Sequence, residues 1–176
     1  MVSREGRIAY VNAVVITVSD SCARGLRVDR SGPAVVDRLR QAGFTVERSL
    51  IVPDDVAQIS LAIREQAEQA RLVVTAGGTG IAARDVTPEA TRAVCERTLD
   101  GFGEHMRREG LKHTPFAPMS RAVSGTLGAS LIVNVPGNPQ AAVQSLEAVL
   151  HLIPHALALL SGDTEHADPN HASEKE

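Results

Sequence analysis

Aromatic side chains are scarce in this chain of 176 residues, which has no Trp, one Tyr and three Phe. Proteins that bind single-stranded nucleic acid usually stack the bases on aromatic side chains, so the composition disfavours that class. The hydrophobic fraction is nevertheless 43%, which is enough for one buried core in a chain of this length. That core must be built from Val, Leu, Ile and Ala.

Cysteine and long apolar runs are also lacking. Cys22 and Cys95 lie far apart and neither belongs to a Cys-x-x-Cys pair, so the sequence indicates neither a disulfide framework nor a zinc site. No apolar run approaches 18 residues, and the N-terminus has no signal-peptide pattern. We therefore expect a cytoplasmic protein without a membrane partner.

Neither sign of charge dominates the body of the chain. Residues 163–176 contain five acidic residues and one Lys, and the rest has 17 basic and 16 acidic residues, a formal charge of +1 against −3 for the whole chain. No basic stripe suggests a nucleic-acid partner. We predict a polar lead over residues 1–7, a single domain over 8–162 and a disordered acidic tail over 163–176.

Apolar, β-branched runs alternate with amphipathic segments along this domain. Strands are predicted over 8–18, 44–52, 72–76 and 130–135, with Ile51 among the core candidates of the second. Helices are predicted from Ser31, over 56–70, 88–95 and 104–108, and over 140–160, where Pro154 should bend one long helix. The alternation predicts an α/β fold in three layers, with a mostly parallel sheet and helices on both faces.

Four loops follow the carboxyl ends of these strands, at residues 19–21, 53–55, 76–80 and 136–139. Each also has a purely structural interpretation, since small polar residues cap helices and prolines favour turns. One of Asp54 and Asp55, in particular, is expected to cap the helix that begins at Val56. Ligands of open α/β sheets nevertheless bind at this edge, so the four loops together predict a binding site.

The third loop carries three glycines within four positions, Gly77, Gly78 and Gly80. Glycine lets backbone N–H groups turn toward a phosphate, and Asp85 beside such a site would require a cation such as Mg²⁺. The loop contains neither G-x-x-x-x-G-K-[ST] nor G-x-G-x-x-G, so it is not a P-loop or a dinucleotide fingerprint. A tight βα turn without a ligand, leading to a helix capped by Thr87, stays the alternative.

Several segments, taken in order, resemble the molybdopterin adenylyltransferase family of molybdenum-cofactor biosynthesis. They are residues 75–80, 84–91, 101–104, 120–121 and 134–139, within a resemblance that covers roughly residues 9–160. The resemblance implies that Mg²⁺-ATP and molybdopterin react to adenylylated molybdopterin and pyrophosphate. It also implies a homotrimer and a molybdenum-insertion enzyme downstream.

The resemblance also implies roles for individual residues. Asp85 and Asp54 correspond to the two essential carboxylates of the family and are the expected catalytic residues and Mg²⁺ ligands. The expected nucleotide-binding residues are Gly77, Gly78, Thr79, Gly80, Gly137, Asn138 and Pro139. The expected molybdopterin-binding residues are Ser19, Asp20, Ser21, Ser120 and Arg121. Residues 81–83, Ile-Ala-Ala, depart from the more polar or proline-containing spacer of relatives, which would alter nucleotide contacts.

Two other functions of the same fold stay open at this stage. One is a molybdopterin-binding or scaffold module without turnover, and the other is a nicotinamide-nucleotide hydrolase with a variant glycine loop. The sequence shows no additional domain, which disfavours both alternatives. Retention of Asp85 in Arg84-Asp85-Val86-Thr87-Pro88 favours the transferase over a binding module.

Overall fold

The computed structural model describes residues 11–162, which form a six-stranded sheet between two layers of helices. The strand order is β2-β1-β3-β6-β5-β4. The first four strands in this order are mutually parallel, whereas β5 is antiparallel to β6 and β4 to β5. The predicted fold class is thus confirmed. The strands are β1 (Asn12–Val18), β2 (Thr45–Val52), β3 (Leu72–Ala76), β4 (Arg97–Thr98), β5 (Ser124–Leu127) and β6 (Ser130–Val135).

Helices cover both faces of this sheet. Those that contribute to the core on one face are α2 (Ser31–Gln41), α5 (Asp100–Gly110), α6 (Pro139–Leu150) and α7 (Ile153–Leu160). The other face carries α3 (Val56–Ala67) and α4 (Thr87–Val94). A short helix α1 (Asp20–Ala23) follows β1, and a 3₁₀ turn spans Ala117–Met119. The continuous β-branched run of β1 fits this arrangement, because alternate side chains enter cores on opposite faces.

Strand register brings four loops to one edge. Val18 pairs with Val52, Thr17 with Ala76, and Ala76 with Val135. Since these strands are parallel, their carboxyl ends lie side by side, and the loops that follow them meet there. This is the edge at which the sequence predicted a ligand site.

The predicted long helix over residues 140–160 is wrong in its continuity. Helix α6 ends at Leu150, α7 begins at Ile153, and their axes are bent by 59°. Pro154 lies in the first turn of α7, where its missing N–H breaks no helical hydrogen bond. No single helix among residues 11–162 is long and apolar enough to cross a membrane; α6 and α7 reach that length only together, across the bend.

Three smaller expectations also differ from the structure. Residues 101–103 were expected to precede the charged helix, but they lie inside α5, which begins at Asp100. Ile51 is 43% exposed because β2 is an edge strand. Thr87 is the first residue of α4 rather than its cap. The predicted lead over residues 1–7 and the tail over 163–176 lie outside the described residues.

Candidate functional site

A cleft of about 750 Å³ opens at the carboxyl edge of the sheet. All four predicted loops contribute to it, together with the segment between α1 and α2. Of the residues expected to bind or act on a ligand, those that line the cleft are Ser19, Asp54, Gly77, Gly78, Asp85, Gly137, Asn138 and Pro139. The structure therefore brings together most of the residues that the sequence singled out.

The two adjacent aspartates after β2 have different tasks. Asp55 caps α3, since its side chain accepts a hydrogen bond from the Gln58 N–H at 2.9 Å. Asp54 instead lines the cleft. Its carboxylate accepts from the Asp20 N–H at 2.8 Å, and its own N–H donates to the Asp20 carboxylate at 3.0 Å. This reciprocal pair of hydrogen bonds joins the segments that follow β1 and β2 and holds Asp54 in place.

Asp54 and Asp85 are close enough to interact electrostatically. Partial burial raises the pKa of Asp54 first, the charge of Asp85 raises it further, and the charge of Arg27 lowers it. A bound cation would relieve this effect of the Asp85 charge on Asp54. Among the described residues no group of three or more His, Cys, Asp or Glu side chains is placed to hold a metal. A pair of carboxylates completed by substrate phosphates is, however, how proteins usually hold Mg²⁺, so this donor set fits that ion.

The glycine loop needs its glycines for different reasons. Gly77 and Gly78 have φ values of +116° and +60°, which residues with a side chain rarely adopt. A Cβ on Gly77 would clash with the carbonyl oxygen of Val18, and one on Gly78 would clash with Thr87 Oγ1 and lie 3.2 Å from Asp54 Oδ1. The φ of Gly80 is not positive, but a Cβ there would lie 2.7 Å from Asp85 Oδ2. The loop is therefore packed against both carboxylates.

Thr87 fixes the loop to helix α4. Its hydroxyl donates to the carbonyl of Gly77 at 2.8 Å, and its N–H donates to the carbonyl of Gly78 at 3.1 Å. Asp85 accepts from the Ala82 N–H at 2.9 Å. Within residues 11–162 no group accepts a hydrogen bond from the N–H of Gly78, Thr79 or Gly80. These amide groups are thus free to donate to a ligand anion.

The residues expected at the pterin are divided by the structure. Ser19 lines the cleft and caps α1, accepting from the Cys22 N–H at 3.3 Å, and its hydroxyl lies 3.1 Å from that of Ser21. Asp20 and Ser21 stand beside the cleft. Ser120 and Arg121 do not line it. Thr79 and Gly80, expected at the nucleotide, lie next to the lining residues in the same loop.

The fourth loop forms one wall of the cleft. Asn138 caps α6 by accepting from the Ala141 N–H at 3.1 Å. A Cβ on Gly137 would stand 3.2 Å from the Cα of Gly77, so the two loops touch. Both the capping and the ligand-wall interpretations of this loop are therefore compatible.

The sequence analysis assigned no site residue to the segment between α1 and α2. Four of its residues line the cleft, Arg27, Val28, Asp29 and Arg30, and so do Cys22 of α1 and Ser31 of α2. The Arg27 guanidinium lies 3.4 Å from Ser19 Oγ. Asp29 accepts from Thr17 Oγ1 at 2.7 Å and from the Gly32 N–H at 3.0 Å, which anchors the segment. Arginines near a predicted phosphate site were the available signal.

Comparison with known proteins agrees with this geometry. Residues 14–155 match the family described as "Probable molybdopterin binding domain". The chain is 42% identical over 156 residues to molybdopterin adenylyltransferase of Helicobacter pylori J99, covering 85% of this chain and 87% of that protein. It is 40% identical over 140 residues to the protein of the same name from Escherichia coli K12, covering 77% and 71%.

A solved structure agrees as well. The molybdopterin biosynthesis enzyme MoaB from Thermus thermophilus superposes with a TM-score of 0.81 at 44% sequence identity, over 86% of this chain and 97% of that one. Sequence, fold and the position of the cleft thus point the same way. The chain belongs to the molybdopterin adenylyltransferase family of molybdenum-cofactor biosynthesis.

Proposed function

We propose that this protein transfers the adenylyl group of ATP to the terminal phosphate of molybdopterin. An oxygen of that phosphate attacks the α-phosphorus of ATP, a new phosphoanhydride bond forms, and the bond to the β-phosphate breaks to release pyrophosphate. The observation that carries the proposal is the meeting of Asp54, Asp85 and Gly78 at one cleft, where the Gly78 N–H has no acceptor among the described residues.

The nucleophile needs no side chain to deprotonate it. A phosphomonoester carries about −1.5 to −2 charges near neutral pH, because its second pKa is about 6. Among the described residues that line the cleft there is no histidine, which is consistent with this chemistry. The main difficulty is the repulsion between two anions, together with the charge that develops on the departing pyrophosphate.

The chain meets these requirements with fixed charges and backbone dipoles. Asp54 and Asp85 would hold Mg²⁺, which when bound supplies charge neutralisation at the phosphates. The N–H groups of Gly78, Thr79 and Gly80 donate to phosphate oxygens, and the Gly137–Pro139 turn closes the nucleotide side. The guanidinium of Arg27, near Ser19 and Asp54, adds positive charge where the two substrates meet.

Ser19, with its neighbours Asp20 and Ser21, is the side of the cleft that we assign to the pterin. Ser19 is held there by its capping role, so its hydroxyl is fixed before the substrate arrives. Because no aromatic residue lines the cleft within the described chain, the pterin must be held by its polar edges and by aliphatic contacts such as Val28. Ser120 and Arg121, which do not line the cleft, are not part of this assignment.

Self-association into a homotrimer, in the cytoplasm, is part of the proposal. Phe116, Leu111 and Met119 are 71%, 53% and 48% exposed and lie in one segment after α5, which offers an apolar surface for another copy of the chain. Light scattering at micromolar concentration should give the trimer mass. A monomer mass would contradict this part.

The direct test mixes the protein with Mg²⁺-ATP and molybdopterin and measures the release of pyrophosphate. A parallel reaction contains pyridine nucleotides in place of these two substrates. Adenylylated molybdopterin and stoichiometric pyrophosphate are expected from the first mixture only. Binding of molybdopterin without pyrophosphate release would instead favour the non-catalytic binding module. Turnover of pyridine nucleotides would favour the hydrolase.

A further inference from the structure

Arg121 lies behind the glycine loop, as seen from the cleft, and donates several hydrogen bonds to it. Its backbone N–H donates to the carbonyl of Thr79 at 2.8 Å, and its side-chain Nε donates to the carbonyl of Gly80 at 2.6 Å. One terminal nitrogen donates to the carbonyl of Asp85, and both terminal nitrogens reach the carboxylate of Glu89. The side chain thus contacts the backbone at both ends of residues 80–85.

Glu89 provides the fixed end of this arrangement. It lies in the first turn of α4, whose start is itself tied to the loop by Thr87. A carboxylate and a guanidinium match each other in shape, so the pair fixes the plane of the Arg121 fork. Residues 81–84 are exposed, and the fork restrains both ends of this stretch in addition to the ion pair between Arg84 and Asp20.

The bonds of Arg121 also determine where the loop's N–H groups point. Across a trans peptide, the carbonyl of one residue and the N–H of the next point in opposite directions. With the carbonyls of Thr79 and Gly80 directed to Arg121, the N–H groups of Gly80 and Ile81 are directed away from it. No described residue accepts from either of them.

We propose that Arg121, anchored by Glu89, is a positioning residue for the nucleotide side of the cleft and not a ligand of the pterin. It orients the amide groups of the glycine loop and the backbone of Asp85 before substrate binds. This inference rests on the proposed function for the identity of the nucleotide, but the restraint itself is a property of the free protein.

The test compares Arg121→Lys with Arg71→Lys. Arg71 is a matched control, because it also donates to several acceptors, the carbonyls of Ala129 and Leu157 at 2.7 Å each and Ser161 Oγ at 2.8 Å, away from the cleft. Lysine keeps the charge of either arginine but cannot form the fork. Two readouts are measured on the full chain: amide hydrogen exchange at Ala82 and Asp85, whose N–H groups are hydrogen-bonded within the loop, and the separate dissociation constants of Mg²⁺-ATP and molybdopterin.

For Arg121→Lys we expect faster exchange at Ala82 and Asp85 and Mg²⁺-ATP affinity weaker by about tenfold, the scale of losing a charge-assisted hydrogen bond. The molybdopterin affinity should stay within about twofold of the parent value. Arg71→Lys should lower the unfolding temperature without changing either affinity or the exchange of the loop. Glu89→Gln should shift exchange and ATP affinity in the same direction as Arg121→Lys, but less.

Two outcomes would overturn the inference. Weaker molybdopterin binding with unchanged ATP binding would make Arg121 a pterin ligand, and unchanged exchange over the loop would show that the fork restrains nothing. If the parent protein binds no Mg²⁺-ATP at all, the proposed function fails. The exchange comparison between Arg121→Lys and Arg71→Lys still decides whether the restraint exists.

Discussion

The two ends of the parallel sheet use polar groups in opposite ways. At the amino end, Arg71 and Ser130 have structural roles. Arg71 donates hydrogen bonds to three acceptors, and the Ser130 hydroxyl lies 2.8 and 2.7 Å from the carbonyls of Ala67 and Ala70. At the carboxyl end, Asp54 and Asp85 repel each other, and N–H groups of the glycine loop lack acceptors among the described residues. Unfavourable or unused polar groups that gather at one end of a fold indicate a binding site, because the ligand supplies the missing partners.

The sharpest way to test this comparison is to neutralise one of the two carboxylates. We expect Asp85→Asn to keep the fold and most of the molybdopterin binding but to lower turnover at least ~100-fold, the scale of removing an electrostatic contact to the transition state. The measurement is pyrophosphate release in saturating ATP and Mg²⁺, with circular dichroism to check folding.

Asp55→Asn is the matched control for that experiment. Asp55 caps α3, and asparagine caps a helix about as well as aspartate, so this variant should keep both stability and turnover. Turnover by Asp85→Asn near the parent rate would show that the chemistry does not depend on this carboxylate.

A smaller effect is expected from a pair of glycines at opposite ends of the sheet. Gly78 and Gly128 have similar φ values of +60° and +55°, but a Cβ on Gly128 would meet nothing within 4 Å. Gly128→Ala should therefore lower the folding free energy by about 1 kcal/mol through backbone strain alone, and Gly78→Ala by more, because its Cβ also clashes with the buried Thr87 hydroxyl. Only Gly78→Ala, which crowds Thr87 and Asp54, should also weaken Mg²⁺-ATP binding, by about tenfold. Equal ATP affinities for the two variants, measured by calorimetry, would show that the glycine loop is a turn with no role in nucleotide binding.

The smallest effect concerns acid stability at the anchor of the glycine loop. The hydrogen bond from Arg121 lowers the pKa of Glu89 from its ordinary 4.5. Its contribution to stability is therefore present above pH 4.5 and is lost as the pH falls through the lower, folded-state pKa. Denaturant titrations should find the parent protein more stable than Glu89→Gln near neutral pH, with the difference vanishing in acid. Because Glu89 is exposed, the gap should be small, and a gap independent of pH would show that the ion pair is not its source.

Periodicity was sufficient for the four parallel strands and for the edge at which we place the ligand, but it did not predict β4 or β5. The β-branched runs of β1, β3 and β6 predicted parallel strands buried on both faces, and the loops that follow were predicted from their positions alone. The glycines at positions 77 and 78 predicted a tight loop, because few residues other than glycine adopt the φ values found there. These predictions depend on local chemistry, which sequence expresses directly.

The remaining details depend on tertiary contacts. Sequence could not decide which of Asp54 and Asp55 caps α3, since either spacing is compatible with the start of a helix. It also placed Thr87 as a cap, whereas the threonine hydroxyl bonds to Gly77 across the loop. The cleft arginine Arg27 was missed because an exposed loop carries no periodic signal, and only the folded chain brings that loop back over Ser19.

The position of Gly77 limits how this site can evolve. Its Cα faces the carbonyl of Val18 on one side and Gly137 on the other, so backbone rather than side chains sets the spacing of three loops at the floor of the cleft. Substitutions there cannot widen or narrow the floor gradually. New substrate preferences must arise instead at exposed positions on its margin, such as Arg27, Val28 and Ile81–Ala83, whose side chains can change size and charge without moving the strands beneath them.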